Sequence, residues 1–167
     1  MILTGVLGGV NWSPTAVDAK SLVAFVPAIH WPVKYSKQTI PATPTKPAIS
    51  YTTLEPLMDA PRWGVLSAID LKTGKMKWQR KTDQPLVGGL LATAGQLIFM
   101  GEGNGRLNAY DARNGKTLWS DQLDAGVNAP PITYQIDGVQ YVAVAAGGSQ
   151  IFGYKQGDLV QVYRLSK

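Results

Sequence analysis

Apolar residues in this chain of 167 amino acids occur in short runs, separated by glycine, proline and other turn-forming residues. Three runs are almost continuously apolar: residues 21–26, 96–101 and 140–146. Such runs between turn signals predict strands that are buried on both faces. Each run follows a lead-in of glycine, proline and small residues, at residues 9–17, 88–95 and 126–134. The pattern therefore predicts three similar β-units.

Two of the units continue with the same phrase, at residues 68–78 and again at residues 109–119. Ala, Asp, Gly, Lys and Trp recur in the same register, and the two copies begin 41 positions apart. A period of about 40 to 45 residues is typical of the four-stranded blade of a β-propeller. One blade cannot bury both of its faces, so the repeat also predicts that the units pack against one another.

The phrase has the features of a hairpin that carries a tryptophan. Asn114 and Gly115 in the second copy adopt positive φ readily, as a tight hairpin requires. The side chain of Asp111 can accept hydrogen bonds from backbone N–H groups two residues further on and stabilise the turn. Trp119 follows the glycine by four residues, where its ring can stack against the next blade and its indole N–H can reach a carbonyl.

We therefore predict an all-β fold in which residues 1–167 form about three four-stranded blades of a partial β-propeller. The units span about residues 8–84, 85–124 and 125–167. The last unit lacks the repeated phrase, as terminal repeats often do. Its two remaining strands are predicted at residues 151–155 and 159–165.

A proline-rich insertion at about residues 27–62 interrupts the first unit. It contains seven prolines, too many for a central strand, and predicts a long excursion between the second and third strands. The third strand is expected to resume at Trp63. His30 is the only histidine of the chain, and its position beside Trp31 and Pro32 favours a packing role over a role as a ligand.

The composition agrees with a globular all-β protein, since 45% of the residues are hydrophobic and 18 glycines and 11 prolines provide turns. The chain contains no cysteine, which excludes disulfides, thiolate metal sites and c-type haem attachment within it. No apolar run of about 18 residues predicts a membrane span. No basic segment followed by a cleavable apolar stretch predicts a signal peptide after Met1.

The net charge of +5 is unevenly distributed, because residues 19–54 contain four lysines and no acidic residue. A basic segment can attract an acidic partner protein or a nucleic acid. These lysines are scattered among prolines and threonines, and the segment has no RNA-binding signature. We therefore expect no nucleic-acid binding and favour a solvated loop.

The repeated phrase resembles the tryptophan-docking motif of the PQQ-dependent quinoprotein dehydrogenases. Three further stretches are similar to that family. Residues 88–99 resemble its G-x-L-A-T-A-G-x-L-x-F segment, residues 131–148 resemble its closing blade, and residues 11–14 (Asn-Trp-Ser-Pro) resemble the Asn-Trp pair of its alcohol dehydrogenase branch. The resemblance runs from about residue 8 to residue 156 and is weakest in the proline-rich insertion.

This resemblance implies the C-terminal part of an eight-bladed propeller that binds PQQ near its axis, with a calcium or lanthanide ion beside the quinone. It implies a periplasmic enzyme that oxidises alcohols to aldehydes or ketones and passes electrons to a cytochrome c or a quinone. The implied partners of this segment are the remaining blades of the same protein and a small alcohol substrate.

The resemblance also implies cofactor contacts from Asn11 and Trp12, on a strand near the axis, and from Val87 and Gly88, beneath the cofactor ring. A tryptophan stands near the position of Val87 in the methanol-oxidising branch, so Val87 departs from that pattern. The residues alone leave another interpretation open, in which Trp12 packs between blades and Asn11 is a turn residue like Asn128.

The family's metal-binding carboxylate, catalytic aspartate, basic residue near the quinone and vicinal disulfide belong to earlier blades and have no matching position here. The resemblance therefore implies no catalytic residue and no metal ligand in this chain. We expect the chain alone to be inactive as a dehydrogenase. Met1 is expected to fall inside a blade, as in a truncated or split protein.

Two other functions remain open. A non-catalytic propeller scaffold of the outer-membrane assembly type has similar tryptophan repeats, and a PQQ-dependent sugar or polyol dehydrogenase belongs to the same superfamily. The Asn-Trp pair and residues 88–95 favour the enzyme over the scaffold. Residues 129–134 favour the alcohol branch over the sugar branch.

Overall fold

A computed structural model describes residues 8–11 and 13–164, and within them the chain folds as β-strands and loops. This part of the chain contains no helix that is long and apolar enough to cross a membrane. The strands are, in chain order, β1 (Ala16–Asp18), β2 (Val23–His30), β3 (Val33–Ile40), β4 (Ile49–Pro56), β5 (Trp63–Asp70), β6 (Met76–Thr82), β7 (Leu90–Ala92), β8 (Leu97–Gly101), β9 (Arg106–Asp111), β10 (Thr117–Gln122), β11 (Ile132–Ile136), β12 (Val139–Ala146) and β13 (Leu159–Arg164).

The strands pair antiparallel in consecutive sheets. The first sheet has the order β1-β2-β5-β6 and the second has the order β10-β9-β8-β7. The third sheet contains β11-β12-β13, and β3 and β4 form a separate two-stranded arm. These sheets confirm the predicted all-β, blade-like architecture, although the described part of the third sheet has three strands rather than four.

The hydrophobic core lies between the sheets, because each sheet buries a face against the next one. The first and second sheets share one cluster of buried side chains: Val23, Phe25, Leu66, Ala68, Leu86, Leu90, Ile98, Met100 and Tyr110. The second and third sheets share another: Leu107, Leu123, Ala125, Val127, Val144 and Ala146. Burial of apolar area between neighbours is therefore the main source of stability.

The two copies of the repeated phrase touch each other directly. Trp78 in β6 donates a hydrogen bond from Nε1 to the carbonyl oxygen of Ala112, at 2.9 Å. Its ring covers Gly115, where an added Cβ atom would lie 2.8 Å from the ring carbons. Arg80 donates a second hydrogen bond to the carbonyl oxygen of Gly115, at 3.2 Å. The tryptophan of the first sheet thus binds the turn of the second.

Trp119 meets a different partner, because the third sheet has no copy of the phrase. Its ring meets Tyr163 edge-on, with the ring centroids 5.1 Å apart and the planes at 79°. The Tyr163 hydroxyl donates a hydrogen bond to Oδ2 of Asp121 at 2.8 Å. Trp119 stays 40% exposed, so this second contact covers the indole less completely.

The aspartate of the phrase organises its turn as predicted. Oδ1 of Asp111 accepts a hydrogen bond from the backbone N–H of Arg113 at 2.9 Å, and the Asp111 carbonyl accepts one from Gly115 at 2.8 Å. The Arg113 side chain also binds this carboxylate and holds the pKa of Asp111 at about 2. Asp70 and Gly74 form the same turn in the first copy.

The insertion in the first unit begins later than predicted. β2 continues through Pro27 to His30, and β5 begins at Trp63 as expected. β1 pairs only with residues 23–25 of β2, so no strand of residues 8–11 and 13–164 pairs with Pro27 on that side. A residue that lacks a backbone N–H is tolerated at such a position. The rest of the insertion is ordered as the β3–β4 arm.

The strand predicted at residues 151–155 was wrong. These residues form a loop with a single bridge between Ser149 and Tyr154, and Gly148 and Gly153 have φ angles of +66° and +68°. Phe152 and Tyr154 alternate like strand residues because both are buried in a cluster beside the first and second sheets. The other strand predicted for this unit corresponds to β13.

Glu102 is a buried carboxylate beside a cleft of about 380 Å³ between the first and second sheets. It is 6% exposed and accepts hydrogen bonds from Nδ2 of Asn108 at 2.9 Å and from the Tyr110 hydroxyl at 3.3 Å. Burial raises the pKa of Glu102, although the Tyr110 hydrogen bond and the charges of Arg106 and Arg80 act in the opposite direction. The protein therefore holds this proton more tightly than the unfolded chain does.

We expect Gly115→Ala to lower the free energy of unfolding by about 2 kcal/mol more than Gly74→Ala does. Both glycines have positive φ, +71° and +70°, so each substitution introduces about 1 kcal/mol of backbone strain. The added methyl group collides with Trp78 at Gly115, whereas nothing lies within 4 Å of it at Gly74. Denaturant unfolding of both variants measures the difference, and equal losses would contradict the contribution of the tryptophan contact.

We expect Glu102→Gln to raise the free energy of unfolding at neutral pH by up to about 1 kcal/mol. Because the folded pKa of Glu102 is raised, its stabilising contribution is full below the ordinary value of 4.5 and is lost as the pH rises through the folded pKa. Glutamine keeps an acceptor for Asn108 and Tyr110 and carries no charge. The advantage of the variant should vanish in acid, and a difference that does not change with pH would refute the assignment.

Candidate functional site

The lead-in segments of the three sheets meet at one end of the molecule. Oγ of Ser13, before β1, donates a hydrogen bond to the carbonyl oxygen of Val87, before β7, at 2.7 Å. Gly89 lies between two prolines, and an added Cβ atom there would lie 2.5 Å from Pro14 and 2.7 Å from Pro130. All three lead-ins are therefore in contact, although they are far apart in the sequence.

Gly88 lies at this meeting point with no room for a side chain. An added Cβ atom would lie 3.2 Å from the carbonyl oxygen of Val127 and 3.4 Å from that of Gly101. The absence of a side chain lets the backbones of the second and third lead-ins approach closely. The sequence-predicted residue Gly88 thus lies where the backbones converge.

The other predicted site residues lie around the same point, as far as the structure describes them. Asn11 is exposed, and it lies between Gly9, whose carbonyl oxygen accepts a hydrogen bond from β2, and Ser13, which binds Val87. Trp12 lies outside the described residues. Asn11, Val87 and Gly88 are therefore brought to the same end of the sheets.

The side chain of Val87 packs into a small apolar cluster and is only 3% exposed. The cluster contains Ile29, Trp31, Val87, Phe152 and Tyr154. The valine thus joins the lead-in of the second sheet to the ends of the first and third units. His30, next to this cluster in sequence, stacks on Trp63 with the ring centroids 5.0 Å apart, in keeping with a packing role.

Asn128 is a polar residue at this end that the sequence suggested only as a turn residue. Its Oδ1 and Nδ2 atoms are buried and have no hydrogen-bond partner among the described residues. It occupies the same place in a Gly-Val-Asn sequence as Asn11 does, and a Cβ atom at Gly88 would lie 3.5 Å from its backbone. Buried amides are normally hydrogen-bonded, so Asn128 belongs among the candidate site residues. The repeated Gly-Val-Asn is the sequence signal that could have identified Asn128.

Aromatic rings line the same end beside Val87. The centroids of Trp31 and Phe152 are 5.6 Å apart, those of Phe152 and Tyr154 are 5.8 Å apart, and the Arg62 guanidinium lies 4.5 Å above the Trp31 ring. Burial raises the pKa of Tyr154 to about 12, so its hydroxyl stays protonated near neutral pH. A cavity of about 460 Å³ borders Arg62, Tyr154 and Lys155.

Hydrogen-bond donors and cations predominate among these groups. The indole N–H of Trp31 and the hydroxyl of Tyr154 are buried without a partner in the described part of the chain. Arg62 and Lys155 add positive charge at the cavity, and Asp124 adds one carboxylate. Such groups can bind and orient an oxygen-rich anion.

The acidic side chains are divided between the two ends of the sheets, and Asp124 borders the cavity. Across residues 8–11 and 13–164, no three His, Asp or Glu side chains form a group that could hold a metal ion. Asp70 and Asp111 are engaged in the two turns of the repeated phrase, at the opposite ends of β5 and β9 from the lead-ins.

Comparison with known proteins identifies the family. The model of the family "PQQ: Glucose/ethanol/alcohol dehydrogenase, beta-propeller domain" matches residues 1–142. The quinoprotein ethanol dehydrogenase of Pseudomonas aeruginosa is 37% identical over 158 residues, which cover 95% of this chain and 25% of that protein.

Solved structures agree with the sequence matches. The quinohemoprotein alcohol dehydrogenase of Comamonas testosteroni superimposes with a TM-score of 0.78 at 31% identity, covering 96% of this chain and 27% of that one. A europium-containing methanol dehydrogenase gives a TM-score of 0.66 at 28% identity, covering 85% of this chain and 25% of that one.

The chain spans about a quarter of the length of the curated relatives that it matches. The family match covers more than half of the chain, and the fold superimposes on two solved quinohemoprotein alcohol dehydrogenases with a TM-score of 0.78. The chain therefore belongs to the family of PQQ-dependent glucose, ethanol and alcohol dehydrogenase β-propellers.

Proposed function

We propose that this chain is the C-terminal propeller segment of a PQQ-dependent dehydrogenase that oxidises alcohols to aldehydes or ketones. Its part would be to supply cofactor contacts and to help close the ring of blades. The observation that carries the proposal is the meeting of three lead-in segments at one end of the sheets, with Gly88 at their centre. That arrangement brings Asn11, Val87 and Gly88, the described residues for which the family resemblance implies cofactor contacts, to one end of the sheets.

The groups at this end fit PQQ, a planar quinone that carries carboxylates. Asn11 would donate or accept a hydrogen bond, Trp12 would contact the cofactor with its ring or backbone, and Gly88 would let the backbone come close. The buried, unpartnered amide of Asn128 is consistent with a site whose polar groups need a further partner. When bound, PQQ would supply the capacity to take up the electrons that the alcohol loses.

The repeated phrase would serve as the family's tryptophan-docking motif. Trp78 docks onto the turn of the next copy, with its indole N–H on Ala112, as such a motif requires. The proposed units, at about residues 8–84, 85–124 and 125–167, would be consecutive blades of an eight-bladed ring. The remaining blades of the protein would be their partners.

The other expectations from the family concern the whole protein. A calcium or lanthanide ion would lie beside the quinone, held by ligands outside this chain, and the catalytic residues would also lie outside it. A small alcohol would be the substrate, and a cytochrome c or a quinone would accept the electrons in the periplasm. A sugar or polyol substrate is the second candidate, since the description of the matched family includes glucose as well as alcohols.

We expect the chain alone, supplied with PQQ and calcium, to give no alcohol-dependent reduction of a dye. The same residues grafted into the P. aeruginosa ethanol dehydrogenase, in place of the quarter they match, should give an active enzyme. The reason is that the catalytic aspartate and metal ligands are expected in the other blades. Activity of the isolated chain would contradict the expectation that the catalytic residues lie in the other blades. An inactive graft that folds and binds PQQ would contradict the proposed function.

In that graft, we expect Asn11→Ala to weaken PQQ binding about tenfold, since losing one or two hydrogen bonds to an anionic ligand costs about 1.4 kcal/mol. Titration of the apoprotein with PQQ, followed by fluorescence, measures this without turnover. Gln38→Ala is the matched control, because Gln38 is an exposed amide on the arm. Equal affinity of the parent and the Asn11 variant would remove this residue from the proposed site.

A further inference from the structure

The β3–β4 arm is the least explained element of the molecule. Its strands pair with each other from Val33–Pro56 at the base to Ile40–Ile49 near the tip, and neither strand pairs with another strand of the described chain. Eight residues per strand give a ribbon roughly 27 Å long. A two-stranded ribbon is marginally stable in water without a packed face, so an ordered arm of this length requires an explanation.

The register divides the arm into two faces. We define the Tyr35 face as the side chains of Tyr35, Lys37, Thr39, Ser50, Thr52 and Leu54. Tyr35 and Leu54 lie directly opposite each other and are 42% and 43% exposed. The other face carries the one acidic residue of the arm, Glu55, which forms a 3.9 Å ion pair with Lys34. The Tyr35 face thus combines an apolar pair with a lysine and no carboxylate.

The arm carries a net positive charge. Lys34, Lys37 and Lys46 are all exposed, and Glu55 is the only acidic residue between positions 33 and 56. Charge complementarity at protein interfaces guides association and excludes partners of the same charge. Exposed aromatic and aliphatic side chains with a charged rim are typical of the centre of such an interface.

The tip of the arm argues against a lipid partner. Residues 42–46 contain two threonines and a lysine, and Thr43 and Lys46 exchange backbone hydrogen bonds of 2.8 and 3.3 Å. A hairpin that enters a bilayer needs apolar residues at its tip, because unpaired polar groups are costly there. The apolar pair of the Tyr35 face lies near the base of the arm. Ile40 and Ile49, the last pair before this polar turn, are each 53% exposed and lie on the opposite face.

The base of the arm lies at the same end as the lead-in segments. The backbone N–H of Leu57 donates a hydrogen bond to the carbonyl oxygen of Pro32 at 3.1 Å and closes the base. The preceding residue, Trp31, packs in the cluster that contains Val87. A protein held by the arm would therefore stand beside the candidate functional site.

We propose that the Tyr35 face docks an acidic protein surface, with Tyr35 and Leu54 as its apolar anchor and Lys37 as the positive charge on that face. Lys34, on the other face, and Lys46, at the tip, add steering charge. This inference does not depend on PQQ chemistry. Its test requires neither cofactor nor turnover, so its failure and the failure of the proposed function are distinguishable.

The test measures binding of the full chain to two synthetic peptides, one that mixes glutamate with leucine and one of glutamate alone. We expect the mixed peptide to bind about tenfold more tightly, because one apolar anchor contributes that much, and both affinities to fall as salt screens the charges. Tyr35→Ser should abolish the preference for the mixed peptide. K34E/K37E/K46E should weaken both peptides at least about tenfold.

The matched control is K72E/K75E/K116E, which changes the charge equally at exposed turn positions on the opposite end of the sheets. It should alter the affinities less than about twofold, since those lysines lie beyond about a Debye length of the arm. Equal weakening by both triple variants would overturn the proposal. So would tighter binding to a DNA duplex or to anionic phosphatidylglycerol vesicles, or a preference for the mixed peptide that survives Tyr35→Ser in a variant with unchanged thermal unfolding.

Discussion

The structure depends on burial of one sheet face against the next. The nine buried side chains shared by the first two sheets belong to both of them, so neither sheet would keep a dry core without its neighbour. Trp78 adds direction to this nonspecific attraction, because its N–H reaches only the Ala112 carbonyl and its ring fits only over a glycine. Apolar area provides the stability and the indole provides the angle between sheets.

The candidate site follows from that same packing. In this chain the sheets stack so that the segments before their first strands lie at one end, and close packing there favours residues with small or absent side chains. Gly88 and Gly89 have no space for a Cβ atom because backbone or proline atoms of the neighbouring lead-ins occupy it. The same crowding leaves the Asn128 amide buried without a partner in the described chain. The buried polar groups that have no partner in the described chain, on Trp31, Asn128 and Tyr154, therefore lie at this end of the stack.

Sequence patterns predicted which local elements form more reliably than the residues at which those elements begin and end. The repeated phrase predicted its turn and the role of Asp111, because those interactions span a few residues. The proline content predicts an insertion that starts at Pro27, but β2 continues to His30 because β1 is too short to pair with it there. Strand length is not visible in composition. Phe152 and Tyr154 follow the alternation of strand residues because every second side chain of this loop is buried. The burial of Glu102 had no local signal at all.

The all-β class, the repeat of the sheets, the turn chemistry and the family can all be read from the sequence alone, because each rests on short-range spacing or on motifs that follow one another along the chain. The sequence also marked Asn11, Val87 and Gly88 as belonging together, although it offered no reason why they should meet. Three other features became visible only in the folded chain: the lead-ins converge, Val87 packs into an aromatic cluster, and the lysine-rich insertion is an ordered arm. Those outcomes depend on contacts between residues tens of positions apart, and local preferences do not encode them.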